Sequence, residues 1–226
     1  MKDRSVIILC GGKGMRLRPL TDKIPKPLVE INNAPILSYI IKHLQKYNFN
    51  KYIIATGYKS EKISSFMSEN FSNINYTIID SGDTDILTRV KDGMNEISGT
   101  FMLCYGDTIS DINIDDLYNF HEKKNDMITI SSYPINIPFG VMKLGSHGIV
   151  EEFTEKPTLD AVINIGYYLF NTSHRKLINS KENIIELIST LIQDKNLQCY
   201  QHKGVHITIN TLSELDNANE NIKKIS

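Results

Sequence analysis

The 226-residue chain predicts an α/β fold, a three-layer α/β/α arrangement around a mixed sheet, and three observations carry that prediction. Short apolar, β-branched runs alternate with amphipathic helical stretches over the first half, the pattern of parallel strands joined by crossover helices. The first run, residues 6–10, has no polar face and so suits a central strand covered on both sides. Between Gly140 and Phe170 the strand-like runs become short and close together, so the second half turns more antiparallel.

Taken in order, 6–10 is a strand. Ala34-Pro35 opens a helix with Ile36, Leu37, Ile40, Ile41 and Leu44 on one face, and Asn48 stops it. Residues 51–56 form the next strand, ending at Gly57. Residues 60–70 read as a short helix with Ile63, Phe66 and Met67 inward. A third strand spans 76–79 and closes at Asp80-Ser81-Gly82. Residues 85–97 place Ile86, Val90, Met94 and Ile97 along one helical stripe. A fourth strand, 101–104, runs into Tyr105-Gly106-Asp107. A helix then starts at an Asn113 cap or at Asp115 and runs to 124, and 127–133 is a strand. Runs at 141–144, 149–153 and 163–170 form a lid or substrate-binding face. Helices around Leu177 and over 182–195, strands at 198–202 and 205–209, and a helix over 213–223 complete the pattern. No repeat or low-complexity linker divides residues 1–226, so a single domain is expected.

Composition narrows the function. A formal charge of −1 leaves no field to recruit nucleic acid or an anionic membrane surface. No apolar run approaches the length of a membrane span, and the first run is too short for a secretion signal. Cys10, Cys104 and Cys199 are odd in number and widely spaced, two of them in apolar runs, which suits reduced thiols in a cytoplasmic protein.

The stretch after the first strand carries the chemistry. Gly11, Gly12 and Gly14 let backbone approach a ligand closely and offer it N–H groups, as a phosphate chain requires. Lys13, Arg16 and Lys26 add positive charge, and Pro19, Pro25 and Pro27 stiffen the surface loop that carries Lys26. A Walker A loop needs Gly-Lys followed by Ser or Thr, whereas Gly12-Lys13 is followed by Gly14. A dinucleotide fingerprint needs a third glycine and an immediate helix, and neither is present. A tight glycine turn with solvated lysines is the plain alternative.

The string from Gly11 to Leu28 resembles the signature of the sugar-1-phosphate nucleotidyltransferases, Gly-Gly-x-Gly-x-Arg-Leu-x-Pro-Leu-Thr-x-x-x-Pro-Lys-Pro-Leu, and meets every fixed position. Met15 departs from it, standing where the family has a small hydroxyl residue. The resemblance implies the nucleotide-diphospho-sugar transferase fold, a Rossmann-like mixed sheet with residues 1–111 as its nucleotide-binding half and 112–226 as its acceptor-binding half. It implies that Leu9, Gly11, Gly12, Gly14, Met15, Arg16 and Lys26 contact nucleotide, with Arg16 and Lys26 as catalytic charges. Asp107, after an apolar strand, is then both catalytic and the first Mg²⁺ ligand, with Mn²⁺ as a substitute. The plain alternative for Asp107 is a turn or cap.

The loop Gly82-Asp83-Thr84-Asp85, with Arg89-Val90-Lys91 beyond it, resembles the base-contacting segment of cytidylyltransferases, although two glycines of that segment are missing. Gly82, Thr84 and Arg89 are the base-side candidates there, and Asp83 and Asp85 could instead cap the following helix. The run from Tyr105 to Asp111 resembles glucose-1-phosphate cytidylyltransferase, so CTP is favoured over other nucleoside triphosphates. Glu155-Lys156-Pro157 and Asn164-Ile165-Gly166-Tyr167-Tyr168 resemble the family's acceptor motifs, which implies acceptor contacts at Gly140, Glu155, Lys156, Asn164 and Gly166. Relatives place a second acidic metal ligand late in the chain. Here Thr208 or Asn210 occupies that stretch, and Asn210 offers an oxygen but no charge. His202 and His206 lie nearby in a strand and read as partly buried surface residues.

The function this implies is metal-dependent nucleotidyl transfer from CTP or another triphosphate to a small phosphorylated acceptor, a sugar 1-phosphate, with release of pyrophosphate for surface-glycan precursors. Two alternatives remain: transfer to a non-sugar phosphate such as phosphoglutamine or phosphocholine, and a catalytically inactive nucleotide-binding regulatory subunit. Neither nucleic acid nor membrane is an expected partner, and a homo-oligomer is compatible with the sequence.

Overall fold

In a computed structural model, which describes residues 3–225, the all-apolar first run is β1 (Arg4–Leu9), flanked on both sides by parallel strands. The loop after it is not irregular throughout. It folds into a 3₁₀ turn at Met15–Leu17, a single helical turn α1 (Leu20–Lys23) and a second 3₁₀ turn at Lys26–Leu28. Prolines shape these pieces without ending them, because Pro19 and Pro25 precede the turns and Pro27 falls in a first turn, where no intrahelical N–H is needed.

A two-residue ribbon follows, β2 (Glu30–Ile31) against β3 (Ala34–Pro35), so the helix opens at Ile36 and not at Ala34. α2 (Ile36–Gln45) leads to β4 (Phe49–Thr56), α3 (Ser60–Asn70), β5 (Tyr76–Asp80) and α4 (Ile86–Met94). Asp85 caps α4, its carboxylate accepting from the N–H groups of Leu87 and Thr88 at 2.7 and 3.2 Å. That helix stops three residues short of the expected Ile97, with Asn95 as its C-cap. Next come β6 (Thr100–Tyr105) and β7 (Thr108–Ser110), the latter absent from the sequence reading. α5 (Ile114–Glu122), capped by Asn113 as expected, precedes β8 (Ile128–Asn136), β9 (Val141–Leu144), β10 (Val150–Thr154) and β11 (Thr158–Asn171). α6 (Arg175–Asn179), α7 (Ile184–Gln193), β12 (Leu197–Gln201), β13 (His206–Thr208) and α8 (Leu212–Asn221) close the chain.

Seven strands form the main sheet in the order β12-β8-β11-β6-β1-β4-β5. Only β11 runs against the rest, pairing antiparallel with both β6 and β8. The second half is more antiparallel, as its short runs suggest: β11 pairs antiparallel with β6 and β8 within the sheet, β9/β10 and β7/β13 form antiparallel ribbons outside it, and β12 runs parallel to β8.

Strand alternation divides the core into two faces. Val6, Ile8, Tyr52, Ile54, Met102 and Cys104 point to the layer of α2, α3, α5 and α8. Ile7, Ile53, Phe101 and Leu103 point to the layer of α4, α6 and α7. With both faces covered, the sheet gives the three-layer architecture. From β1 the chain winds outward to β4 and β5 and then crosses back to β6 on the other side of β1. This reversal places a switch point at the C-terminal end of β1, where open α/β sheets leave a crevice for ligand. The β9/β10 arm lies outside both core faces, with every residue of both strands exposed.

Candidate active site

At that switch point the glycine loop leaves β1, and a cleft of about 350 Å³ opens beneath it. The turn is tied down by backbone bonds. The Cys10 N–H donates to Ala55 O at 2.7 Å, Gly106 N–H to Leu9 O at 3.0 Å, and Tyr58 N–H to Gly11 O at 3.2 Å. Leu9, Gly11, Gly12, Gly14, Met15, Arg16, Lys26, Thr84, Arg89 and Asp107 all line the cleft. Of the nucleotide-side candidates, Gly82 alone is not among the lining residues. Cys10, Pro27, Ile86, Tyr105 and Gly106 line it without having been singled out as site residues. Tyr105 and Gly106 were within reach, because they immediately precede Asp107 in an already distinctive run.

Four polar side chains meet at the mouth of the cleft. Lys26 Nζ lies 2.5 Å from Asp107 Oδ2 and donates to Asn210 Oδ1 at 3.0 Å. Arg16 Nη2 donates to the same Asn210 oxygen at 2.8 Å. Lys26 does not stand in a surface loop as its flanking prolines suggest. It is 9 % exposed, since its 3₁₀ turn packs inward with Pro27 also buried. Asn210 follows β13 and Asp107 precedes β7, and the pairing of Thr208 with Thr108 brings the two ends together. This unforeseen ribbon is what unites residues a hundred positions apart. The second oxygen of Asp107 accepts only from Thr108 Oγ1, at 3.3 Å. Among the described residues, no group of three or more His, Cys, Asp or Glu side chains is gathered closely enough to hold a metal by itself.

Arg89 is nearly enclosed, 4 % exposed, and spends its donors on backbone. Nη1 donates to Thr84 O at 2.6 Å, and Nη2 to Gly82 O at 2.6 Å and Gly11 O at 3.1 Å. Burial pulls its pKa below the usual guanidinium value, opposed by Asp83, Asp85, Asp80 and Asp92. Lys13 Nζ meets Asp83 Oδ2 at 2.5 Å across the cleft rim, and this partner holds the Asp83 carboxyl below its ordinary value. Cys10 sits against the cleft floor, where burial pushes its thiol well up and keeps it protonated. Cys104 is buried and free as well, whereas Cys199 is exposed.

The acceptor-side candidates join the cleft through Tyr105. Gly166 has φ +79°, and a Cβ there would lie 2.5 Å from the Tyr105 ring, so only glycine fits this close approach. Asn164 Oδ1 accepts from Gly166 N–H at 3.0 Å, and its amide donates to the Tyr168 hydroxyl, itself 3.1 Å from the Tyr105 hydroxyl. Gly140 packs beside Glu155, a Cβ there lying 3.0 Å from its Oε2. Glu155 and Lys156 are both exposed, Lys156 with φ 46°. None of the five acceptor-side candidates lines the cleft itself: Gly166 packs against the cleft-lining Tyr105, with Asn164 linked to the same ring through Tyr168, while Gly140, Glu155 and Lys156 have no such link.

His202 and His206 fall in another cluster. His202 is buried and lies 2.9 Å from Asp111, and Tyr133 stacks near both histidines. Burial lowers the His206 pKa to about 4, helped by His202 and opposed by Asp107.

Known proteins share both the sequence and this fold. The model of the nucleotidyl transferase family matches residues 5–223. A Bacillus subtilis (strain 168) protein described as a probable glucose-1-phosphate cytidylyltransferase is 29% identical over 240 residues, covering 95% of this chain and 94% of that protein. The glucose-1-phosphate cytidylyltransferase of Salmonella typhimurium is 30% identical over 237 residues, covering 92% and 91%. Among solved structures, a UDP-glucose pyrophosphorylase complexed with UDP-glucose superposes with a TM-score of 0.78 at 14% identity over the whole of both chains, which bears on the fold alone. A glycine loop at the switch point, a family match over nearly the whole chain and a shared nucleotide-diphospho-sugar transferase fold agree: this chain belongs to the nucleotidyl transferase family.

Proposed function

We propose that the chain is a cytidylyltransferase that couples CTP to a sugar 1-phosphate and releases pyrophosphate. The meeting of Arg16, Lys26, Asp107 and Asn210 at the mouth of a glycine-lined cleft is the observation that carries this reading. The acceptor's phosphate oxygen is already anionic, so attack on the α-phosphorus needs no general base, and catalysis reduces to positioning and charge stabilisation. In this reading the glycine loop cradles the phosphates, Arg16 holds the β and γ groups, and Lys26 turns from Asp107 to bridge the α-phosphate and the acceptor phosphate. Base and ribose lie toward Thr84 and Ile86. Asn164, Gly166 and Glu155 receive the acceptor.

A Mg²⁺ ion fits the donor set with nucleotide present: Asp107 keeps a carboxylate oxygen with one weak partner, and Asn210 Oδ1, which accepts from Arg16 and Lys26, would become a neutral ligand once those two cations turn to the phosphates. Bound there, it would neutralise triphosphate and leaving-group charge. With so few protein charges, the ion is expected to arrive with the nucleotide.

The choice of CTP rests on the resemblance of residues 82–91 and 105–111 to cytidylyltransferases, and on the two cytidylyltransferase-named relatives. Side-by-side kcat/KM values for CTP, UTP, dTTP, GTP and ATP test it. CTP is expected to lead, and a tenfold lead for another triphosphate, about 1.4 kcal/mol, would overturn it.

A further inference from the structure

Arg89 belongs to the cleft lining, yet its guanidinium is turned to the protein's own backbone and not to the cleft. Nη1 and Nη2 are taken by the carbonyls of Thr84, Gly82 and Gly11. Nε is enclosed and unpaired, lying where a Cβ on Gly11 would be, 2.0 Å away. Three segments converge on this one side chain: the glycine loop after β1, the loop between β5 and α4, and Gly57 at the end of β4. A Cβ on Gly57 would lie 2.4 Å from Gly82 O, 2.5 Å from Arg89 Nη2 and 3.1 Å from Gly11 O. Buried charge is retained when hydrogen bonds engage it, and here loop carbonyls in place of a carboxylate take both Nη groups.

We propose that Arg89 is a positioning residue, a buried clamp that fixes the distance between the phosphate-cradling loop and the base-side loop. This rests on the nucleotide-binding reading of the cleft and deepens it. The two loops face each other across the nucleotide's length, and Arg89 hydrogen-bonds to the backbone of both. The exposed Lys13–Asp83 pair joins the same two loops at the rim, but an ion pair open to water is weak and easily exchanged. Arg89 supplies the persistent link. Because it touches backbone carbonyls and not the base, its loss loosens the grip on every nucleoside triphosphate alike.

Steady-state pyrophosphate release by the full chain tests this, with wild type, Arg89→Met, Arg89→Lys and Gly57→Ala. Arg89→Met is expected to raise KM for each nucleoside triphosphate by about tenfold or more, the scale of one lost hydrogen bond to a charged group. The acceptor KM and the order of preference among triphosphates should stay as in wild type, and Arg89→Lys should fall between. Gly57→Ala keeps the arginine in the chain but drives a methyl into both the Gly82 carbonyl and the Arg89 guanidinium, prising the clamp from its carbonyls, and should raise nucleotide KM in the same manner. An unchanged nucleotide KM in folded Arg89→Met or in Gly57→Ala overturns the proposal. A changed order of triphosphates overturns it too, since that would make Arg89 a reader of the base. If the Arg89 variants fail to fold, as judged by circular dichroism, Gly57→Ala decides. A wild type that releases no pyrophosphate with any substrate pair refutes the enzymatic reading instead, and triphosphate Kd values from calorimetry on the same variants then test the clamp.

Discussion

Replacing Lys26 separates charge from packing. Its stem is buried within the 3₁₀ turn Lys26–Leu28, and its ammonium lies 2.5 Å from Asp107 and 3.0 Å from Asn210. Lys26→Met keeps an unbranched apolar stem and removes only the ammonium. Lys26→Ala also strips three methylenes, at about 0.8 kcal/mol each when buried, or about 2 kcal/mol in all. The alanine variant should therefore melt about 4–8 °C lower than the methionine variant in a domain of this size. Both lose the ammonium proposed to bridge the α-phosphate and the acceptor phosphate, and on that proposal kcat/KM should fall by about a hundredfold or more, some 2.7 kcal/mol of transition-state stabilisation. Pyrophosphate release gives the rates, and calorimetric melting gives the stability. Methionine at position 26 with activity within about threefold of wild type would refute the catalytic role, since a contact worth so little is no charge-stabilising one.

Further outcomes concern the metal and pH. Calorimetry of the nucleotide-free protein should show only weak Mg²⁺ binding, tightened by added triphosphate, with Mn²⁺ able to substitute. Asp107→Asn should damage turnover far more than Asn210→Ala. Asn210→Asp should strengthen metal binding, because it adds a carboxylate to the donor set once Arg16 and Lys26 have turned to the phosphates. A tight Mg²⁺ site before nucleotide is added would contradict this. Stability should fall on acidification. His206 titrates near 4 when folded and near 6.5 when unfolded, so the unfolded chain takes up the proton first and stability drops as pH falls between those values. The slope from His206 is up to about 1.4 kcal/mol per pH unit, and burial shifts His43 and His121 in the same direction. Melting temperatures at pH 7 and pH 5 check this. His206→Gln should flatten the profile, and an unchanged profile would refute the assignment.

What the sequence discloses and what it hides follow from range. The glycine loop, the Asp85 and Asn113 caps and the strand of Asp107 are local patterns, read from neighbours within a few residues. The β7/β13 ribbon is not local. Thr108-Ile109-Ser110 is too short and too polar to announce a strand, and it becomes one only because 206–208 arrives beside it. The meeting of Asn210 with Lys26 and Asp107 was therefore visible only as a position in a motif. The burial of Lys26 was hidden for the opposite reason. Flanking prolines signal a loop, and nothing in them tells which way the turn between them faces. Arg89 stood in a cytidylyltransferase-like run and read as a nucleotide contact. Its enclosure by three carbonyls from two loops cannot be seen in one dimension. β11 likewise extends five residues earlier than its apolar run, since its outer stretch pairs with β8 while remaining exposed.

The measurement that bears most directly on the whole account is pyrophosphate release with five nucleoside triphosphates, each tested alone and with glucose 1-phosphate, phosphocholine or phosphoglutamine, at millimolar Mg²⁺. The account predicts release that requires both a triphosphate and an acceptor, is fastest with CTP and glucose 1-phosphate, and yields one CDP-conjugate per pyrophosphate. Release fastest with a non-sugar phosphate would keep the chemistry and replace the acceptor. Nucleotide binding without pyrophosphate from any pair would contradict the central claim and leave a regulatory nucleotide-binding protein.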